Sequence, residues 1–171
     1  MTPWSTVRRP VRSGLKVAGA LAFLAPLATR LVMGQAFFFT GRGKLANFDR
    51  TVEFFTGLGI PLPALNAAFV SRLELYGGIL LVVGLATRLV AAGLASTMVV
   101  ALMTADKESF LGALKGTSDS GLTDVAPFVY LLFLAWLVLS GPGAASLDRL
   151  IFGRFLGEER AEPGVPAARA A

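Results

Sequence analysis

The 171-residue sequence contains no cysteine and no histidine. The first absence excludes disulfides, thiolate metal sites and iron–sulfur clusters. The second removes histidine-ligated haem and any Ser/His/Asp or Cys/His catalytic arrangement. Charge is scarce as well: Asp, Glu, Lys and Arg make up 16% of the chain, and the carboxylates form no cluster suited to a metal, so no metal is expected. Phosphate-loop chemistry fails on inspection. In TGRGKL the residue five before Gly43 is Phe38, and Leu45 follows Lys44 where Ser or Thr is needed. No GxGxxG and no nucleophile elbow is present. Any chemistry therefore falls to carboxylates, Arg, Lys, Tyr or a bound cofactor, which speaks against a self-contained enzyme of the soluble type.

What remains is apolar. Hydrophobic residues make up 54% of the chain and the mean hydropathy is +0.67, far above an ordinary soluble domain, so an all-α integral membrane protein with several spans is expected. The net charge of +5 does not point to nucleic acid, because the cations flank apolar runs instead of forming one patch interleaved with aromatics. Membrane topology accounts for them better.

Residues 1–25 read as a basic cytoplasmic arm with an interfacial segment, carrying Arg8, Arg9, Arg12 and Lys16. A signal peptide is the rival reading, but apolar character continues past Pro26 where a cleaved leader would stop. A membrane domain follows over 26–140, with four spans at about 26–45, 64–88, 88–104 and 125–140. Between the first two, Phe48, Val52 and Phe55 recur at helical spacing and describe a short amphipathic helix on the membrane surface. The second and third spans are joined so closely that they must form an antiparallel hairpin. From 105 to 124 the chain turns polar, and GTSDSG there reads as loop. Residues 141–157 describe a last amphipathic helix on the cytoplasmic side, with Ser146 as its N-cap, and 158–171 a disordered tail. Cations outside the spans favour the two ends of the chain, which places both termini in the cytoplasm.

The chemistry-bearing stretch is Ser71 to Arg88, because it sets Glu74 inside a segment otherwise fit to cross a bilayer. A charge at mid-bilayer costs roughly 3 kcal/mol or more, so such a group needs a partner, a proton or a job. Gly77 and Gly78 share its helical face and let a neighbouring backbone come close. On the first span Arg30, Gly34, Phe37, Gly41 and Lys44 fall at +4, +7, +11 and +14, one face that should point into the bundle. Glu74 can pair with Arg30 or Lys44. Lys44 is the easier partner, since each side chain leans towards its own helix N-terminus, which carries Arg30 away from Glu74. Three roles stay open for Glu74: a structural ion pair locking two helices, a proton acceptor or hydrogen-bond partner for a quinone or similar carbonyl ligand, and a place on a translocation path. Phe37, Tyr130 and Trp136 are candidates for lining a ligand. In the third span Gly93, Thr97 and Ala101 form a small-residue stripe for close packing.

The pattern of Arg30 with Gly34, then FFFTGRGKL, FFTGLGIPLP, ELYGGILLVVGLATR and ALMTAD resembles the DoxX family, over about residues 27–140. The resemblance implies a compact four-helix bundle in the bacterial cytoplasmic (inner) membrane, with Arg30, Gly34, Gly41, Lys44, Glu74, Gly77, Gly78, Gly84 and Arg88 at family-like positions. It also implies the membrane subunit of a quinone-associated oxidoreductase or oxidative-stress system. Quinone is then the cofactor, and the lipid bilayer, a redox partner protein or a second copy of the chain are the partners. The sequence departs from relatives that carry His near the first-span glycine or at the end of the third span, having Thr40 and Thr104 to Asp106 there. A purely structural or assembly role, with Glu74 only a lock, is the rival from another class. A ligand site should leave an apolar pocket beside Glu74, whereas a lock should bury it against a cation.

Overall fold

The computed structural model describes residue 19, residues 21–117 and residues 119–151. The expected basic arm and the end of the chain from 152 onward, including the expected tail, lie outside the described residues. Among the described residues six α-helices run in order: α1 (Leu24–Ala46), α2 (Phe48–Gly57), α3 (Pro63–Val83), α4 (Thr87–Met103), α5 (Lys107–Lys115) and α6 (Ala126–Ser140), with a 3₁₀ turn at Leu122–Asp124. A further helical turn begins at Leu147. The fold is an all-α bundle of four longer helices, α1, α3, α4 and α6, with short helices at its margins.

The most extensive packing is α1 against α3, followed by α4 against α6. Glycines explain the first. A Cβ on Gly34 would lie 2.7 Å from the Gly78 carbonyl oxygen, and one on Gly78 would lie 2.5 Å from the Phe38 amide nitrogen. A Cβ on Gly41 would strike the Leu75 backbone. The two backbones thus touch along three glycines, as the small-residue face of α1 predicts. The buried residues of α1 are Arg30, Met33, Gly34, Phe37 and Gly41, so the helical face read from spacing is the one turned inward. Gly77 looks the other way, towards Val90 and Leu94 on α4. The stripe on α4 is looser than expected. A Cβ on Gly93 would meet Leu73 at an ordinary 3.5 Å.

By length and composition α3 is the helix among the described residues that is fit to cross a membrane by itself. Its 21 residues extend about 31 Å, the thickness of the hydrocarbon core. Helix α4 passes only together with α5, to which it is bent by 79°, and α6 is apolar but has 15 residues. A short apolar helix is accommodated where the bilayer thins or flanking side chains reach the interface. Within the polar stretch 105–124, Lys107–Lys115 is helical, and GTSDSG forms turn and bend at Gly116, Asp119 and Ser120.

The α3–α4 hairpin turns at Gly84, whose φ of +72° suits glycine and whose amide donates to the Leu80 and Leu81 carbonyls. Ala86 follows with φ +50°, a conformation costly for a residue with a Cβ. It is held from a distance. The Asp148 carboxylate accepts the amides of Ala86 and Thr87 at 2.6 and 2.9 Å, and the Asp148 amide donates to the Gly84 carbonyl at 2.9 Å. Ser146 Oγ in turn accepts the Arg149 amide at 3.2 Å, the N-cap expected of it.

Candidate functional site

Glu74 lies on the buried side of α3 and is 1% exposed. Lys44, on the last turn of α1, donates from Nζ to Glu74 Oε1 at 2.5 Å. The pairing follows from helix geometry: α1 and α3 run antiparallel, with Gly34 against Gly78 and Gly41 against Ser71 and Leu75, so Lys44 and Glu74 lie on either side of the Gly41 contact and lean towards each other, each towards its own helix N-terminus. A lone buried charge is expensive, and the ammonium offsets part of that cost. The other carboxylate oxygen, Oε2, is shielded from water and has no hydrogen-bond partner.

Arg30 does not join this pair. It is 1% exposed at the opposite end of α1, where Nη2 donates to the Ala145 carbonyl and the guanidinium lies within electrostatic reach of Asp148. The expected trio of Glu74, Arg30 and Lys44 is therefore two separate sites, because 14 residues separate the cations by about 21 Å of helix. Gly84 belongs to the Arg30 end, since a Cβ there would collide with the guanidinium. Arg88 turns to the end of α6, its guanidinium against Gly141 and the Leu139 carbonyl.

Beside the Lys44–Glu74 pair lies a partly open cavity of about 220 Å³. Helix α2 and the segment after it supply Phe54, Phe55, Leu58 and Ile60. Helix α3 supplies Asn66, Phe69 and Val70, and α4 supplies Ser96, Thr97, Met98, Val100 and Ala101. The wall is apolar with few polar groups, the usual composition of a small-molecule site. Phe37, Tyr130 and Trp136 do not line it. Phe37 is buried edge-on to Tyr130 with ring centroids 5.7 Å apart, and Trp136 is 39% exposed on α6. The lining aromatics are instead Phe69 of α3 and Phe54 and Phe55 of α2, where Phe55 turns inward although a membrane-surface role was expected. The repeat of Phe48, Val52 and Phe55 was the available signal, although it does not say whether protein or lipid covers that face. Among the described residues no group of carboxylates stands ready to hold a metal.

Residues 25–107 match the family model described as DoxX. The chain is 33% identical over 132 residues to CatD of Bacillus subtilis, provisionally named an oxidoreductase, covering 75% of this chain and 88% of CatD. It is 31% identical over 141 residues to the inner membrane protein YphA of Escherichia coli, covering 77% and 93%. It is 32% identical over 136 residues to the uncharacterised membrane protein Rv3486 of Mycobacterium tuberculosis, covering 75% and 82%. No solved structure matches.

Proposed function

Because the chain belongs to the DoxX family of bacterial membrane proteins, we propose that it serves as the membrane subunit of a redox system and holds a quinone head group in the cavity beside Lys44 and Glu74. The observation that carries this reading is a mostly apolar cavity bordered by a buried ion pair with an unpartnered carboxylate oxygen. Its volume of about 220 Å³ falls below the roughly 300–1,000 Å³ of sites for drug-sized ligands. That volume suits a single ring, with a prenyl tail left outside the partly open cavity.

The residues present suit such a group. Lys44 has donors beyond the one given to Glu74 and is the cation placed to meet a ring carbonyl. Glu74 supplies an acceptor on the same side. Phe54, Phe55, Phe69 and Met98 offer flat and polarisable surface for a ring. When bound, a quinone supplies two-electron, two-proton redox chemistry. This chain's residues contribute binding, orientation, exclusion of water and a carboxylate near the ring. Electrons must come from a partner, because the sequence has no cysteine or histidine to hold a metal centre.

The second reading, a structural lock, draws on the near-complete burial of Glu74 against Lys44. One experiment separates them. Wild type and Glu74→Gln are purified from a quinone-containing bacterial membrane in mild detergent, and co-purifying quinone is quantified by mass spectrometry alongside thermal stability. The proposal expects near-stoichiometric quinone in wild type and its loss in an equally stable variant. Absence of quinone from both, with a markedly less stable variant, leaves the lock.

A further inference from the structure

The polar groups around the cavity are not balanced between donors and acceptors. Ser96 Oγ donates to the Gly93 carbonyl at 2.6 Å, Thr97 Oγ1 to Leu94 at 2.7 Å and Thr104 Oγ1 to Val100 at 2.7 Å. Each hydroxyl has a single hydrogen, so all three are committed to their own helix and only their oxygens remain to accept. Asn66 donates one Nδ2 hydrogen to the Pro61 carbonyl at 2.6 Å and keeps a second hydrogen and an acceptor oxygen. Glu74 Oε2 is an acceptor with no partner, and burial makes that state costly. Against these acceptors stand the second Asn66 hydrogen and Lys44, whose ammonium already spends one hydrogen on Glu74 Oε1.

We infer that the cavity selects a ligand that donates a hydrogen bond: a ring bearing a free hydroxyl, the reduced quinol, in preference to the oxidised quinone. The inference rests on the reading of the cavity as a quinone site and adds which redox form it favours. A quinone offers only carbonyl oxygens. It can satisfy Lys44, but it leaves Oε2 unpaired and sets acceptor against acceptor. A quinol can give its hydroxyl hydrogen to Oε2 once a local shift of the cavity wall exposes that shielded oxygen, and its oxygen accepts from Lys44. Binding of the reduced form therefore removes the buried unsatisfied acceptor, while binding of the oxidised form does not. The same logic rejects a ring whose hydroxyls are methylated.

Three short-tailed probes test this on the purified full-length protein in lipid nanodiscs under anaerobic conditions: a benzoquinone, its quinol and the dimethyl ether of that quinol, with dissociation constants from equilibrium dialysis. The quinol is expected to bind about tenfold tighter than either other probe, the size of one charge-assisted hydrogen bond. Glu74→Gln, which replaces an acceptor by a group that also donates, should narrow or invert the preference for quinol over quinone. Equal affinity for quinol and quinone overturns the inference while the quinone site stands, as does an ether that binds as tightly as the quinol. Binding of none of the three overturns the quinone reading itself. The three-probe comparison needs wild type alone, so a variant that fails to fold does not remove the test.

Discussion

Lys44 and Arg30 leave the same face of α1, and the two ends of the bundle treat them in opposite ways. At the Lys44 end the cation is 28% exposed in its side chain, pairs with a carboxylate from the neighbouring helix and borders a cavity. At the Arg30 end the cation is sealed. The segment after α6 runs across the ends of α1 and the α3–α4 hairpin, with Gly143 against Pro26, the Ala145 carbonyl on Arg30 and the Asp148 carboxylate on the hairpin amides. A buried charge whose partners come from a segment distant in sequence ties the chain together, whereas a buried charge beside open space is available to a ligand. Similar charges on one helix therefore do different work, and the difference lies in what covers them.

The sealed end should be the more fragile when its partner is removed. Asp148→Ala leaves the Ala86 and Thr87 amides without their acceptor and Arg30 without its neighbouring anion. Breaking a buried charged arrangement from one side costs about 3–5 kcal/mol, and a loss of that order is expected in reversible unfolding in detergent. Asp148→Asn, which still accepts one amide, should fall between. A loss under about 1 kcal/mol for the alanine variant would mean that the segment rests on the hairpin without holding it, and the contrast between the two ends would collapse.

How much of this contrast was legible beforehand depended on distance along the chain. The inward face of α1 could be read because helical spacing places Arg30, Gly34, Phe37, Gly41 and Lys44 together whatever lies around them. The choice of Lys44 over Arg30 as the partner of Glu74 could be read because side chains lean towards the helix N-terminus. Asp148 could not. Its partners are backbone amides 61 and 62 residues away, and an amide has no signature in sequence, so nothing in the pattern of the last amphipathic helix singles Asp148 out. The cavity was hidden for a related reason. Periodicity marks Phe55 as apolar-facing without saying which neighbour it faces, and it marks Phe37 and Tyr130 as candidates for contact without revealing that they contact each other. Helix α5 is nine residues long, too short for its pattern to stand out beside the adjoining polar turn.

The two faces of α3 offer a subtler comparison, between a glycine that backbone touches and one that side chains face on the partner helix. Gly78→Ala puts a Cβ 2.5 Å from the Phe38 amide and 2.6 Å from the Gly34 carbonyl. Neither can move without shifting α1, so a loss of about 1–3 kcal/mol is expected. It should disturb the Lys44–Glu74 site as well, because the α1–α3 spacing sets that pair. Gly93→Ala on α4 is the counterpart. Its Cβ would meet Leu73 methyl carbons at 3.5 and 3.7 Å, ordinary contact distances, while alanine is the better helix former by about 1 kcal/mol in water. The expected change is within about 0.5 kcal/mol of zero or slightly stabilising, with no effect on the binding proposed for the Lys44–Glu74 cavity. If Gly93→Ala instead proves as damaging as Gly78→Ala, the α3–α4 contact is as tight as the α1–α3 contact. The small-residue stripe of α4 would then be a packing seam, leaving Thr97 and Ala101 no freedom to serve as the wall of a cavity.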